Sequence, residues 1–179
     1  NARTALFNYL FSRHANGVFV LRIEDTDKER SRKEFEDDIV EQLTWLGFSW
    51  DEFYRQSERL GIHKTYLTRL LDEGKAFYCA HTKEELEEEY NRQIKEKAIP
   101  RHVCGHRNEG REEGIIRLRN DAKDPLAFND LIRGDITFDP QLLGDVSIAR
   151  DLDSPLYNFV VVADDADMRI SHVIRGEDH

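Results

Sequence analysis

The sequence has few cysteines and no long apolar run, and both shortages limit the class of protein it can belong to. Its 179 residues include only two cysteines, Cys79 and Cys104. Two are too few for a disulfide scaffold, so we expect a reducing, cytoplasmic environment. Apolar runs such as residues 159–163 are much shorter than the roughly 20 residues that cross a membrane. The composition therefore predicts a cytoplasmic protein that does not insert into a membrane.

Positive charge is also scarce, because 26 Lys and Arg residues stand against 36 Asp and Glu, for a net charge of −10. This balance argues against a protein that coats nucleic acid with its whole surface. Residues 92–111 are nevertheless locally basic, and they predict contacts with phosphate groups, although a solvated helix face explains the same charges. The candidate phosphate-contacting residues are Arg92, Lys95, Lys97, Arg101, Arg107 and Arg111.

The first 75 residues alternate helical and strand-like patterns. Residues 4–13 and 58–73 have the spacing of amphipathic helices, and residues 18–23 form a nearly continuous apolar strand of the kind that parallel sheets bury. Between them, Ser31 and Glu34 predict a capping box at the start of another helix. The predicted buried stripe of that helix is Phe35, Ile39, Leu43 and Leu46. The pattern predicts an α/β domain.

The pattern changes at residue 76. Short strands alternate with turn signals and one charged helix, which begins with a capping box of Thr82 and Glu85. These features predict an inserted α+β domain with antiparallel strands. After Pro155, a compact apolar element at residues 157–163 and a strand at residues 170–174 resume the first pattern. We therefore predict three segments, namely residues 1–75 and 154–179 of an α/β domain and residues 76–153 of an insertion.

Charged residues end two of the predicted strands, at the edge where open α/β sheets bind ligands. Glu24 follows the first strand, and a carboxylate there suits an ammonium group. Arg175 ends the second, and its guanidinium suits a carboxylate. Each residue alone is also explained by an exposed loop. Together they predict a site that binds both charges of an amino acid.

Two Cys-x-His pairs, Cys79 with His81 and Cys104 with His106, flank the charged helix. Thiolate and imidazole are ligands of tetrahedral zinc, and residues two apart on an extended strand point the same way. Four protein ligands leave no open position, so the predicted zinc site is structural. The alternative is two unligated pairs near a turn, with both histidines solvated.

Five longer stretches resemble signatures of glutamyl-tRNA synthetases, in order and at compatible spacing. They read NARTALFNYL at residues 1–10, LRIEDTD at 21–27, QSER at 56–59, YNFVVVADD at 157–165 and HVIRGEDH at 172–179. Matches of this number and length are more specific than any single short motif. The chain is therefore similar to an internal piece of that family's catalytic domain, over nearly all of its length.

The resemblance implies a Rossmann-type class I synthetase catalytic domain that is interrupted by an α+β insertion for the tRNA acceptor end. In such an enzyme, ATP with Mg²⁺ converts L-glutamate to glutamyl-adenylate, and the 3′-terminal adenosine of tRNA(Glu) then takes the glutamyl group. By the same resemblance, Glu24 would hold the amino group of glutamate, and Tyr157 and Arg175 would contact the substrate. The residues expected near ATP and the tRNA end are Gly176, Glu177, Asp178 and His179.

This sequence departs from the family pattern at one position, because some members carry Asn four residues after the tyrosine, where this chain has Val161. The family's ATP-binding signature would precede Asn1, and its Lys-Met-Ser-Lys-Ser type loop would follow His179. We therefore expect a monomeric enzyme of which this chain alone is inactive. Close alternatives are a glutaminyl-tRNA synthetase and a glutamyl-Q tRNA(Asp) synthetase. A non-catalytic, zinc-containing RNA-binding module is an alternative of another class, but it leaves the charged strand ends unexplained.

Overall fold

The computed structural model describes residues 2–26 and 31–176, and the chain divides into two compact units. The first unit combines residues 1–63 with residues 160–179, and the second comprises residues 64–159. Both boundaries fall inside helices, whereas the sequence pattern places the insertion at residues 76–153. Within the described ranges, no helix is long and apolar enough to cross a membrane.

The first unit alternates helices and strands. Its elements are α1 (Ala2–His14), β1 (Val20–Ile23), α2 (Lys33–Trp45) and β2 (Glu52–Arg55), followed by a 3₁₀ turn at Gln56–Arg59. The two strands are parallel, with Val20 opposite Glu52. The Asp51 carboxylate fixes the start of this pair, because it accepts hydrogen bonds from the Phe19 N–H at 2.7 Å and from Arg13 at 2.8 Å. Parallel pairing agrees with the predicted α/β class, although β2 was not among the predicted strands.

The chain then continues through α3, a mainly antiparallel region, and a last helix. The elements are α3 (Leu60–Asp72), β3 (Ala76–Cys79), α4 (Lys83–Lys95), β4 (Ile115–Leu118), β5 (Leu126–Asp130), β6 (Gly134–Phe138), β7 (Ser147–Ala149) and α5 (Tyr157–Asp167). The strands β3, β4 and β7 form one antiparallel sheet, and β5 and β6 form a separate hairpin. The capping box of Thr82 and Glu85 at the start of α4 is confirmed.

The core of the second unit lies where α3 packs on the three-stranded sheet. Leu67 of α3 and Ile116 of β4 are fully buried, and Ala76, Ile148 and Ala149 complete the cluster. Because a helix and a sheet each expose one apolar face when alone, this contact is what stabilises both. The sheet therefore gives rigid support to the segments that leave the ends of β3 and β4.

The capping box predicted for Ser31 and Glu34 is wrong. Helix α2 begins at Lys33, with Arg32 at the N-cap and no side chain capping it. Ser31 lies one residue before the cap, so its hydroxyl is out of register with the free N–H groups of the first turn. The predicted stripe on α2 is only partly buried, because Leu43 is 5% exposed whereas Phe35 is 54% exposed.

The strand predicted at residues 170–174 is also wrong. This segment has no regular secondary structure, and a side chain of α1 occupies the backbone hydrogen-bonding groups of its last residue. The Ile174 N–H donates to Asn8 Oδ1 at 2.9 Å, and Asn8 Nδ2 donates to the Ile174 carbonyl at 2.6 Å. An apolar pattern alone does not reveal whether a neighbouring strand is available.

Candidate functional site

An open cavity of about 1400 Å³ lies in the first unit, along β1 and beyond its C-terminal end. Its wall includes Glu24, which directly follows β1, and Arg175, which follows α5 in the chain. Both residues are exposed. The structure thus places an acidic and a basic side chain in the wall of one cavity, at the position where open α/β sheets bind ligands.

Asp25 anchors the loop that carries Glu24. Its Oδ1 accepts the Ser57 N–H at 2.8 Å, and its Oδ2 accepts the Ser57 hydroxyl at 2.6 Å. Ser57 belongs to the 3₁₀ turn after β2, so these bonds join the ends of the two parallel strands. Asp25 therefore acts as a structural tether, whereas Glu24 is an exposed carboxylate in the wall of the cavity.

Arg22 on β1 lies beneath Glu24 and has a side chain only 14% exposed. Its Nη1 donates to Asp165 Oδ1 at 2.6 Å, and its Nη2 donates to Glu24 Oε1 at 3.3 Å. The shorter bond shows that Arg22 is committed mainly to Asp165 of α5. The bond from Arg22 occupies only one oxygen of Glu24, and a carboxylate can accept further hydrogen bonds from a cationic ligand.

The segment that carries Arg175 is held on α1. The two bonds between Asn8 and Ile174 fix its backbone, and the ring of His172 packs on Phe11 with the ring centroids 4.9 Å apart. Arg175 follows Ile174 directly. Its backbone position is therefore set by α1, although no strand forms there.

A buried ion-pair network supports this unit, and the sequence analysis did not identify it. Asp164 of α5 is fully buried and accepts from Arg59 Nε at 2.8 Å and from His63 Nε2 at 2.7 Å. Burial alone would raise the pKa of Asp164, but the bonds from Arg59 and His63 outweigh it and hold that pKa below its usual value. An aspartate in the middle of an apolar helix was the available signal, since such residues are rarely buried unless paired.

The other residues that the sequence predicts near the substrates are found in other parts of the chain. Tyr157 is the first residue of α5 and falls in the second unit. Gly176 is exposed, while Glu177, Asp178 and His179 lie outside the described residues. Val161, at the position where some relatives carry Asn, is only 9% exposed.

The second unit contains a cluster of two cysteines and two histidines at the end of β3. Its members are Cys79, His81, His102 and Cys104, and their ligand atoms all lie within 4.8 Å of one another. His81 Nδ1 is 3.3 Å from Cys79 Sγ and 3.6 Å from Cys104 Sγ. The Nε2 of His102 is 3.8 Å from Cys79 Sγ.

These distances fit a tetrahedral zinc site. Bonds of about 2.3 Å to sulfur and about 2.0–2.1 Å to nitrogen give ligand-to-ligand separations of roughly 3.3–3.8 Å in a tetrahedron. The three sulfur-to-nitrogen separations given above fall in that range, and no two of the four ligand atoms are more than 4.8 Å apart. Both cysteines are free and buried, so the residues present fit the group that the sequence predicts.

His106, the fourth ligand predicted from the sequence, is not in this cluster. Its Nδ1 lies 3.3 Å from the Ala80 N–H, and its ring packs on His81 with centroids 4.2 Å apart. His106 lies outside the cluster because Cys104 caps a 3₁₀ turn at Gly105–Asn108. That turn breaks the extended spacing on which the Cys-x-His argument depends. His102 is the fourth member of the cluster. Sequence reasoning missed it because it precedes Cys104 in the chain, whereas the Cys-x-His pattern pointed to the histidine that follows.

Buried Asp145 supports the loop that carries these ligands. It accepts the Cys104 N–H at 2.8 Å and two bonds from Arg107, at 2.7 and 2.5 Å. Its own N–H donates to the His102 carbonyl at 2.6 Å. A Cβ atom at Gly144 would collide with that same carbonyl, so glycine is required there for the loop to approach.

The surroundings of the cluster shift the pKa values of His81 and Cys104 in ways that bear differently on metal binding. Burial lowers the pKa of His81, and the neighbouring His106 and His102 lower it further, which favours the neutral ring that coordinates metals. Burial raises the pKa of the Cys104 thiol to about 11. A bound cation would reverse this effect, because a coordinating thiol is deprotonated.

The predicted basic residues do not all remain available for phosphate. Arg107 is less available than predicted, because its guanidinium is bonded to Asp145 and Asp121 and its side chain is only 19% exposed. Arg111 pairs with Glu109 at 2.6 Å. Of the others, Arg92 and Lys95 lie in the last turn of α4. Lys97 and Arg101 are exposed in the loop that follows.

Known proteins resemble this chain over its whole length. Residues 1–179 match the family model described as "tRNA synthetases class I (E and Q), catalytic domain". The glutamate–tRNA ligase of Hydrogenobaculum sp. is 51% identical over 189 residues, which cover 100% of this chain and 41% of that protein. The glutamate–tRNA ligase of Aquifex aeolicus is also 51% identical, over 190 residues that cover 100% of this chain and 40% of that protein.

A solved structure gives the same result. The crystal structure of a glutamate tRNA ligase from Elizabethkingia meningosepticum in complex with its amino acid superposes with a TM-score of 0.83 at 32% identity. The match covers 98% of this chain and 40% of that one. The chain thus spans about two fifths of the length of the relatives it matches.

Proposed function

Because the chain belongs to the catalytic-domain family of the class I tRNA synthetases for glutamate and glutamine, we propose that it is part of a glutamate–tRNA ligase. In this proposal, ATP with Mg²⁺ activates L-glutamate, and tRNA(Glu) receives the glutamyl group. The relatives' names favour glutamate over glutamine as the substrate. A cytoplasmic location and a monomeric state remain part of the proposal.

The observation that carries the proposal is the presence of Glu24 and Arg175 in the wall of one cavity. We assign the substrate ammonium group to Glu24 and a substrate carboxylate to Arg175. Bonds made by Asp25 and Arg22 position Glu24 at the end of β1, and the bond between Asn8 and Ile174 positions Arg175. Tyr157 is proposed as a further contact with glutamate. Residues 176–179 are proposed to lie near ATP and the tRNA end.

The proposed reaction depends on the correct positioning of its substrates and needs no covalent intermediate with the protein. A glutamate carboxylate oxygen attacks the α-phosphorus of ATP, the bond to the bridging oxygen breaks, and pyrophosphate leaves. A ribose hydroxyl of the terminal adenosine then attacks the acyl carbon, and AMP leaves with the electron pair. Fixed charges that hold glutamate in one orientation lower the barrier by proximity.

The second unit is proposed to bind the acceptor end of the tRNA. The exposed basic residues of α4 and of the loop after it support phosphate contacts. Arg107 is not part of this proposal, because its guanidinium is bonded to Asp145. Zinc is proposed as a structural ion held by Cys79, His81, His102 and Cys104. When bound, it would cross-link the end of β3 to the loop around residues 102–104. The segments 1–75, 76–153 and 154–179 remain the proposed domain division.

The test is aminoacylation by a polypeptide that contains this chain together with the flanking parts that its relatives have. Arg175→Ala should reduce kcat/KM for glutamate by about 10–100-fold, because a hydrogen bond between charged groups is worth about 1.5–3 kcal/mol. Glu24→Gln should also reduce it. Matched controls are Arg3→Ala and Glu34→Gln, which are exposed and do not line the cavity.

Two outcomes would contradict the proposal. If the intact protein forms no glutamyl-tRNA with glutamate, ATP and tRNA, the enzymatic function is wrong. If it charges tRNA but Arg175→Ala behaves like the Arg3→Ala control, the site assignment is wrong while the function stands.

A further inference from the structure

A carboxylate that is not one of the four clustered ligands contacts the metal centre from helix α4. Glu89 Oε2 lies 2.5 Å from His102 Nδ1, and the two side chains are 23% and 13% exposed. We propose that Glu89 makes His102, and not His106, the fourth metal ligand, and that it thereby fastens α4 to the metal centre. This inference rests on the zinc site proposed above.

The contacts of each imidazole determine which nitrogen carries its hydrogen. An ionised Glu89 can only accept, so Nδ1 of His102 carries the hydrogen and Nε2 keeps its lone pair. That Nε2 is the atom that lies 3.8 Å from Cys79 Sγ. In His106, Nδ1 faces the Ala80 N–H at 3.3 Å and accepts from it. The hydrogen of a neutral His106 ring is then on Nε2, which leaves no lone pair for a metal.

A carboxylate behind a ligating histidine has two known physical effects. It fixes the orientation and tautomer of the ring, and it makes the ligating nitrogen more basic. Removal of such a partner typically weakens metal binding by about 10–100-fold. Glu89 is placed for both effects, because its bond reaches the nitrogen of His102 that points away from the cysteines.

Gln93, one turn after Glu89, holds the peptide next to His102. Its Oε1 accepts the Arg101 N–H at 2.7 Å, and its Nε2 donates to the Arg101 carbonyl at 2.8 Å. Gln93 Nε2 also lies 3.4 Å from Glu89 Oε1. Two side chains of α4 thus position residues 101 and 102, one through the backbone and the other through the imidazole.

Helix α4 depends on these polar contacts because it buries none of its residues. Tyr90 and Ile94 are 53% and 50% exposed, so apolar packing stabilises the helix little. Arg92 and Lys95, in its last turn, are among the proposed phosphate contacts. Loss of the metal is therefore expected to release the helix that carries these basic residues.

The experiment measures zinc affinity by competition with a chromophoric chelator, in the intact protein and in variants. Glu89→Ala should bind zinc about 10–100-fold more weakly than the parent protein. Glu89→Gln, which keeps an acceptor but loses the charge, should fall between the two. Glu87→Gln is the matched control, because Glu87 is exposed on the same helix. Amide hydrogen exchange in α4 should be faster in Glu89→Ala than in the parent at saturating zinc.

The choice of ligand is tested by two histidine variants. His102→Asn should lose tight zinc binding, and His106→Asn should keep it. The reverse result would overturn the inference and replace His102 by His106 in the proposed ligand set. A Glu89→Ala variant with the parent's affinity would overturn the inference and leave the zinc site in place. A parent protein without zinc would overturn the inference and the zinc site together. Charging of tRNA is measured separately, so none of these results decides the enzymatic proposal.

Discussion

Replacement of Asp164 by alanine tests whether the buried ion-pair network stabilises the first unit. Asp164 is fully buried and bonds to both Arg59 and His63. Without it, His63, which is also fully buried, loses this partner. Arg59 is less affected, because its Nη2 still donates to Asp167 at 2.5 Å and its side chain is 12% exposed.

The expected cost follows from what each partner loses. Removal of one member of a buried ion pair typically costs about 3–5 kcal/mol, because the remaining charge is left without a partner. The remaining Arg59–Asp167 bond should place Asp164→Ala near the lower limit, at about 3 kcal/mol. Asp164→Asn keeps the shape and one acceptor, so about 1.5–2 kcal/mol is expected.

The assay is equilibrium unfolding in urea, followed by circular dichroism. Both variants should lower the midpoint without a change in the m-value. Asp153→Ala is the matched control, because that carboxylate is 76% exposed in its pair with Lys64. Its cost should stay below about 1 kcal/mol. An Asp164→Ala variant as stable as this control would refute the reasoning, and Asp164→Asn keeps the test available if the alanine variant does not fold.

Three further predictions concern other parts of the chain. The Arg55 guanidinium holds the pKa of Glu36 at about 2. The ionised Glu36 should therefore contribute up to about 3 kcal/mol to the free energy of unfolding above pH of about 4.5, and this contribution should be lost as the pH falls toward 2. Glu36→Gln should flatten the acidic part of the plot of unfolding free energy against pH. Gly144→Ala should weaken metal binding in a chelator titration, because the added methyl group collides with the His102 carbonyl; unchanged binding would contradict the proposed loop geometry. Leu67→Ala should lower the free energy of unfolding in urea by about 2–5 kcal/mol, since Leu67 is fully buried in the core of the second unit. A loss below about 1 kcal/mol would show that the core does not depend on this side chain.

Features with local causes could be predicted from the sequence. The capping box of Thr82 and Glu85 needs only residues three apart, and it forms as expected. The turn after α2 at Gly47, with φ of 82°, follows from the same kind of local signal. The signatures that indicated the family are contiguous, and the family match over residues 1–179 confirms that resemblance.

Features that need a distant partner were predicted less well. Residues 170–174 have the composition of a strand, but Asn8, more than 160 residues away in the chain, occupies the backbone groups of Ile174. Strand β2 has a short and polar sequence, and it exists because β1 pairs with it. Asp164 was not identified as buried because its partners, Arg59 and His63, lie about 100 residues earlier.

The Cys/His cluster shows the same division within one candidate site. Residue type and spacing alone nominated Cys79, His81 and Cys104, because two thiols and an imidazole near a strand end suit zinc wherever the chain brings them together, and the structure places these three side chains in one cluster. The fourth position required the tertiary structure. The turn after Cys104 takes His106 away, and Glu89 and Gln93 on α4 position the segment that contains His102. The sequence by itself determined which chemical groups are present, whereas the packing of the helix against the loop decided which of two histidines faces the sulfurs.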